Sequence, residues 1–430
     1  MSHLGRSLGL LEALSIGIGS MIGAGIFVLS GSAAQAAGPA ALISFALAGG
    51  SVLLTALCFA ELATAMPRAG GPYVFVKEAF GDAWGFFVGW SLWVGLALAT
   101  AFYCLGFAQY LNLLLPGVPP RAAAAAVALV LVGVNLTGAR GTARLQNGMV
   151  LALVAILGYY IVRSLPVADA SLRDPFLPYG WAPVVRSAST VFVSYLGFEL
   201  IATAAEEMKN PRRDLPLATF LSIVVVVAIY VLVMYTATGL LSHYDLGKSP
   251  TPIADAARVA IGPAGAVLLV VAGLLATLSS ANTSIMASSR VGWAMAQDAL
   301  LPHALGRVYG RWRSPLPAVL ATGAFTLLAL TPDDARQLAG AAGFLHLYPF
   351  IVINAALLKL RTKPGYQPSF RVRGGAAVPL LAAAVNAFLL SKVALPDALW
   401  GALLIAPGLV YQGVRSACAG LGWRRGTIHR

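Results

Sequence analysis

Gly17-Ile18-Gly19-Ser20-Met21-Ile22-Gly23-Ala24-Gly25-Ile26-Phe27 lies in the middle of an apolar run over 11–36, and the reading of that stretch decides the fold. A helix crosses the hydrocarbon core of a bilayer with about 20 residues, so the run is long enough to span. Glycine costs a helix interior roughly 1 kcal/mol relative to alanine, and here four glycines crowd the mid-depth of one span. The run is therefore expected to break near its centre, exposing backbone amides and carbonyls where a continuous helix would hide them.

The rest of the chain places that stretch in a membrane protein. The 430 residues are 59% hydrophobic and 10% charged, with a mean hydropathy of +0.80. A soluble chain carries about a quarter charged residues, and disorder needs low hydrophobicity with high charge, so a soluble enzyme and a disordered chain are both excluded. At roughly 36 residues per span and connection, the length fits about twelve helices and no sizeable extramembrane domain. Apolar runs mark the spans at 11–36, 39–66, 83–113, 121–138, 143–165 and 183–207, then 214–241, 262–297, 316–331, 336–360, 374–392 and 397–415.

The sixth of these spans carries a second interruption, Ser194-Tyr195-Leu196-Gly197-Phe198-Glu199, with a glycine and an acid at mid-depth. Interrupted segments at matching places in two halves point to an inverted repeat with a site at the bilayer midplane. The competing reading is close helix packing through small residues. The expected fold is an all-α polytopic membrane protein of twelve transmembrane helices, a five-plus-five inverted repeat with broken helices 1 and 6. Its first repeat is 1–165, its second 183–360, and 374–430 holds two further helices and a tail.

Charge gives orientation. The net charge of +13 is spread over short connections rather than gathered on one face, which argues against nucleic acid. With both termini on one side, that side holds 21 of the 29 lysines and arginines and the other holds eight. The excess marks the cytoplasm, so both termini are expected there, in the plasma membrane. Cys58, Cys104 and Cys418 are isolated and lack disulfide or metal-ligand spacing. The start, Arg6 followed by an apolar stretch and Ser32-Ala33-Ala34-Gln35-Ala36-Ala37, has the look of a signal peptide. Glu12, the glycines and the length of the run favour a retained first span.

The same residues carry a resemblance. Gly19 to Phe27, then Glu61-Leu62 with Pro67-Arg68-Ala69-Gly70-Gly71-Pro72-Tyr73, then Tyr195 to Glu199 with Ala202-Thr203 and Glu206-Glu207-Met208-Lys209-Asn210-Pro211-Arg212-Arg213-Asp214-Leu215-Pro216, form an ordered series. Ser289-Arg290, Ala294-Met295-Ala296-Gln297-Asp298 and Leu301-Pro302 complete it. Over about 10–360 the chain resembles the amino acid–polyamine–organocation transporter superfamily, most closely its cationic amino acid transporter branch. The resemblance implies a secondary transporter with a small-molecule amino acid substrate and no enzymatic activity, and it makes Phe198 a thin gate over the substrate. Packing is the plainer role for that ring.

The chemistry of such a substrate fits the two breaks. An amino acid brings a carboxylate and an ammonium into a medium where each must be paired. Free amides of Gly23, Ala24 and Gly25, at the N-terminal end of a half-helix, suit the carboxylate. Carbonyls of Gly19, Ser20, Met21, Ser194, Tyr195 and Leu196 suit the ammonium. Ile22, Gly197, Phe198 and Glu199 complete the gate, and Leu96 to Thr100 on the third span line a side-chain pocket. Gly23→Val is expected to abolish binding while leaving a folded protein. Glu199 has two readings, sensing a cationic side chain or bonding the unwound backbone. Glu61 and the Glu206-Glu207 pair are expected in a cytoplasmic gate, paired with lysine or arginine. The stripe Trp84, Trp90, Trp93 reads as interfacial anchoring and packing.

Coupling departs from the family. Relatives carry a fifth-span lysine six residues after the second residue of a Gln-Asn pair; here the pair is Gln146-Asn147 and the position is Leu153. Three readings stand. Sodium would use oxygens of Ser279, Ser280 or Thr283. A proton would use His346, whose plainer role is a neutral ring bonded to a neighbouring helix. The third is passage without an ion. No cofactor or metal cluster is expected, and no protein partner is visible. Small or broad neutral amino acids are the first substrate reading, because no acidic pocket beyond Glu199 is apparent. A cationic amino acid or polyamine is the runner-up, and a membrane sensor that binds amino acids without moving them is the alternative of another class.

Overall fold

In hydrocarbon every backbone N–H and C=O must be paired within the chain, which leaves helices as the way for this sequence to cross. The computed structural model describes residues 9–66, 71–136, 142–203, 208–308, 314–331 and 334–420, and among them the secondary structure is helical, with no strand. The first half comprises α1 (Leu10–Met21), α2 (Ala24–Ala37), α3 (Ala41–Ala65), α4 (Pro72–Phe80), α5 (Asp82–Leu114), α6 (Pro120–Leu136) and α7 (Thr142–Ser164). The second comprises α8 (Trp181–Val191), α9 (Glu199–Thr203), α10 (Pro211–Thr238), α11 (His243–Lys248), α12 (Pro252–Ile261), α13 (Pro263–Gln297), α14 (Leu316–Ala329) and α15 (Ala335–Leu360). α16 (Ala377–Leu390) and α17 (Leu395–Gly420) close the chain.

Among the described residues, six runs are long and apolar enough to cross a membrane: Ala24–Ala65, Asp82–Leu114, Trp181–Ala202, Pro211–Thr238, Pro263–Gln297 and Ala335–Leu360. α16 and α17, bent by 109° at their junction, make a seventh if the pair is one span. Leu10–Met21, Pro120–Leu136, Gly148–Ser164 and Leu316–Ala329 are shorter apolar helices. Ala24–Ala65 is 42 residues long, which as one rod would reach roughly 63 Å, about twice the hydrocarbon thickness. It is interrupted by a 3₁₀ turn at Gly38–Ala40, where Gly38 has φ +68 and Pro39 follows.

Boundaries that differ from the sequence expectation have local causes. α10 starts at Pro211 rather than 214, because proline suits the first helical position. α16 is shorter than the expected 374–392: Gly374 and Gly375 have φ +95 and +60 before it, and the chain turns at Ser391-Lys392 after it.

Both expected breaks are present. α1 ends at Met21 and α2 begins at Ala24, with Ile22 (φ -74, ψ 92) and Gly23 (φ -134, ψ -152) extended between them. In the sixth span, α8 tightens into a 3₁₀ turn over Phe192–Tyr195 and Leu196 is extended (ψ 142). Gly197 then takes φ +112 before α9 resumes. A left-handed φ of that kind is open to glycine and strained for a residue with a Cβ. Around the breaks, α5 packs against α13 and α15, and α3 against α10. The interrupted helices lie inside this frame, α1 against α7, α9 and α10, and α2 against α8.

Candidate functional site

The two breaks touch. Ser20 Oγ lies 2.9 Å from Gly197 O and 3.0 Å from Gly17 O, so its hydroxyl donates to either carbonyl. A Cβ at Gly197 would stand 2.7 Å from Ser20 Cβ and 2.8 Å from Ser20 O, which no side chain tolerates. A Cβ at Gly25 would meet the Cα of Ser194 at 2.5 Å, and one at Gly23 would meet Ser280 Cβ at 2.8 Å. Gly23 and Gly25, at the start of α2, are thus pressed against α13 and against the 3₁₀ turn. The first amides of a helix lack partners within it, so Gly23 to Gly25 present donors where these elements meet.

Tyr230, on α10, was missed by the sequence reading. Its hydroxyl is 2.8 Å from Met21 O and 3.1 Å from Ser194 O, so a single donor serves carbonyls of both breaks. Its ring lies 5.1 Å from that of Tyr195, whose own hydroxyl donates to Phe45 O at 2.8 Å. The available signal was a phenol in the middle of an otherwise aliphatic run, since polar groups at membrane depth need partners.

Three polar atoms beside the breaks are buried and lack a hydrogen-bond partner among the described residues: Ser194 Oγ, Ser280 Oγ and Glu199 Oε1. An unpaired buried polar atom costs about 1–3 kcal/mol, so their gathering here is unfavourable for the fold alone. Glu199 is 4% exposed, and its other oxygen, Oε2, accepts from the Gly197 amide at 2.9 Å. Bonding to the unwound backbone therefore occupies one oxygen of this acid. Together the breaks offer donors from the start of α2, acceptors from Gly19 to Met21 and Ser194 to Leu196, and one free carboxylate oxygen.

The other residues singled out from the sequence have the following surroundings. Ile22, Ala24 and Leu196 are buried. Phe198 is buried with its ring 5.4 Å from Phe59 and 5.5 Å from Phe350, in an aromatic cluster between α3 and α15. Leu96 forms a small apolar cluster with Leu200 and Ala287, apart from the main core. The latter two were not picked out from sequence, because single aliphatic residues in apolar helices carry no signal. Thr100 Oγ1 donates to Leu96 O and Thr283 Oγ1 to Ser279 O, so both hydroxyls are turned back onto their own helices. His346 Nδ1 bonds Ala342 O at 2.7 Å, also in its own helix rather than a neighbouring one. Its ring packs where a Cβ on Gly95 would stand 2.7 Å from Cε1, and Nε2 has no partner among the described residues. Leu153 is buried in the apolar core. The side chains of Gln146 and Asn147, and the Glu206-Glu207 pair, lie outside the described residues.

Glu61 stands apart from this centre, at the end of α3. It is fully buried, and Arg361 grips it through Nε at 2.8 Å and Nη2 at 2.5 Å. The Val372 amide donates to the same carboxylate at 2.8 Å, and the Arg361 guanidinium also reaches Gly375 O. Burial, and after it the Glu61 carboxylate, pushes the nearby Tyr366 hydroxyl far above its ordinary range, so it stays protonated. Lys77 pairs with Asp298 at 2.9 Å at the same end. Of the tryptophan stripe, Trp84 is exposed, whereas Trp90 and Trp93 are buried and donate to Leu404 O and Thr322 Oγ1.

Residues 8–408 match the model of a family described as amino acid permease. The chain is 29% identical to the methylthioribose transporter of Bacillus subtilis, over 94% of this chain and 91% of that protein. It is 29% identical to the branched-chain amino acid permease of the same organism, over 90% and 88%. To the mitochondrial cationic amino acid transporter 3 of Arabidopsis thaliana it is 30% identical, over 84% of this chain and 63% of that protein.

Proposed function

The chain belongs to the amino acid permease family, whose members are membrane transporters and not enzymes, and from that premise we propose that it is a secondary active transporter carrying small or broad neutral amino acids by alternating access. The observation that carries this reading is the meeting of two interrupted helices, with Tyr230 bridging Met21 O and Ser194 O and Ser20 reaching Gly197 O. The substrate carboxylate takes the amides of Gly23, Ala24 and Gly25. Its ammonium donates to carbonyls among Gly19, Ser20, Met21, Ser194, Tyr195 and Leu196. Zwitterion recognition then rests on backbone groups, which cost no reorganisation when the substrate arrives. Leu96, Leu200 and Ala287 line the side-chain pocket; this apolar lining favours a neutral side chain. Phe198 closes over it as the thin gate, held by Phe59 and Phe350.

In this reading the fold is the twelve-span, five-plus-five inverted repeat of 1–165 and 183–360, with 374–430 added, in the plasma membrane with both termini cytoplasmic. The Glu61–Arg361 pair then belongs to the cytoplasmic gate. A second reading, transport of a cationic amino acid or polyamine, is favoured by Glu199 Oε1, which is buried and has no partner among the described residues. The names of the relatives support amino acids as a class, while methylthioribose shows that one similar protein carries a different small molecule.

The test is uptake by the purified protein in liposomes. Radiolabelled alanine, leucine, arginine and putrescine are offered with an imposed sodium gradient, a proton gradient and neither. Saturable uptake of alanine or leucine is the expected result. Sodium dependence would implicate Ser279 and Ser280; proton dependence would implicate His346. Uptake of arginine or putrescine alone would replace the first reading by the second. Binding without uptake of any of them would make the protein a sensor.

A further inference from the structure

At the end of the molecule away from the Glu61–Arg361 pair, the start of α8 and the turn joining α16 to α17 enclose a groove. α16 fixes which end this is. Gly375, just before that helix, is bonded by Arg361, and Lys392 stands two residues after its last residue, Leu390, at the far end of a helix roughly 21 Å long. One lobe of the groove, of 390 Å³, is lined by Arg186, Lys392 and the turn as far as Leu395. A second lobe, of 250 Å³, shares both cations and adds Trp181 and Phe388.

No acidic side chain lines either lobe. Arg186 and Lys392 are exposed, and among the described ion pairs neither has a carboxylate. Lys392 Nζ lies 5.2 Å over the Phe388 ring instead. On the twelve-span reading this end holds eight of the 29 lysines and arginines, so two of them converging on one groove with no carboxylate among the described ion pairs is unexpected on charge alone. Trp181 is 59% exposed and stands at the first position of a membrane-length helical run, where tryptophan marks the headgroup level. Phe388 and Leu395 are likewise exposed along the flank.

We propose that this groove binds the phosphate of an anionic phospholipid, with Arg186 and Lys392 on the headgroup and Trp181 and Phe388 along an acyl chain. The paired cations select the negative phosphate, and the apolar flank distinguishes a lipid from a free anion. Arg186 lies six residues before the 3₁₀ turn at Phe192. A lipid held between it and Lys392 ties the interrupted span to the α16–α17 turn.

The test uses the full-length protein, delipidated in detergent, with short-chain phosphatidylglycerol, phosphatidylcholine or inorganic phosphate added. Native mass spectrometry reads retained lipid and a melting curve reads stabilisation. Phosphatidylglycerol is expected to be retained and to raise the melting temperature. A cation near an anionic headgroup strengthens binding about fivefold. Arg186→Gln or Lys392→Gln should therefore weaken retention about fivefold and the double variant about thirtyfold. Arg258→Gln, at another exposed cation, should bind as the parent does. The proposal is overturned if the double variant retains phosphatidylglycerol normally, if phosphatidylcholine binds equally, or if inorganic phosphate stabilises as much as the lipid, which would make this a soluble-anion site.

Discussion

Glu199 divides its two oxygens between structure and an open role, and this makes it the most informative single residue. Oε2 holds the Gly197 amide, a bond that a glutamine carbonyl reproduces. Glu199→Gln should therefore fold, with stability changed by about 1 kcal/mol, the worth of one hydrogen bond. On the neutral-substrate reading, uptake of alanine or leucine by this variant stays within roughly fivefold of the parent on that same scale. On the cationic reading it loses arginine uptake, because the charge facing the substrate is gone. Gly23 needs a different variant from the one the sequence suggests. Valine there would drive its Cβ onto Ser280, so Gly23→Val damages packing as well as backbone access and cannot separate the two. Gly23→Ala alone should destabilise by about 1–3 kcal/mol through overpacking. Adding Ser280→Gly removes the obstructing side chain and should recover most of the lost melting temperature; failure to recover would place the strain elsewhere.

Among the elements, the connection after α15 is held by one buried ion pair. Removing a single partner of such a pair costs about 3–5 kcal/mol, because it strands the other charge. Arg361→Ala and Glu61→Ala should each destabilise by that order, and the double variant by clearly less than their sum, as read from melting curves in a double-mutant cycle. Additive losses would show that the two side chains act independently. The pair also shows what was legible in the sequence. Glu61 at a span end predicts a cationic partner, but nothing in the order of residues selects Arg361, 300 positions away. The breaks were legible because glycine at mid-depth is costly in a helix. Tyr230, Leu200 and Ala287 were not, because their roles come from which helices pack together rather than from their own neighbourhoods. The backbone bonds of the Thr100 and Thr283 hydroxyls were not legible for a related reason: a threonine in an apolar helix can donate to the carbonyl four residues back, which residue type alone does not reveal.

At the scale of the whole molecule, composition and glycine placement fix a helical membrane protein with two interrupted segments, and family membership makes it a transporter. The central claim is that an amino acid binds where those segments meet. A melting-temperature screen of the purified protein against the twenty amino acids and several polyamines tests it most directly, since a ligand selective for the folded state stabilises it by about 2.7 kcal/mol at a hundred times its Kd. The account predicts a clear rise with small or branched neutral amino acids, and loss of that rise in Gly23→Ala/Ser280→Gly, where a methyl group stands beside the amide while the fold is kept. A rise with none of them, or an undiminished rise in that variant, would contradict it.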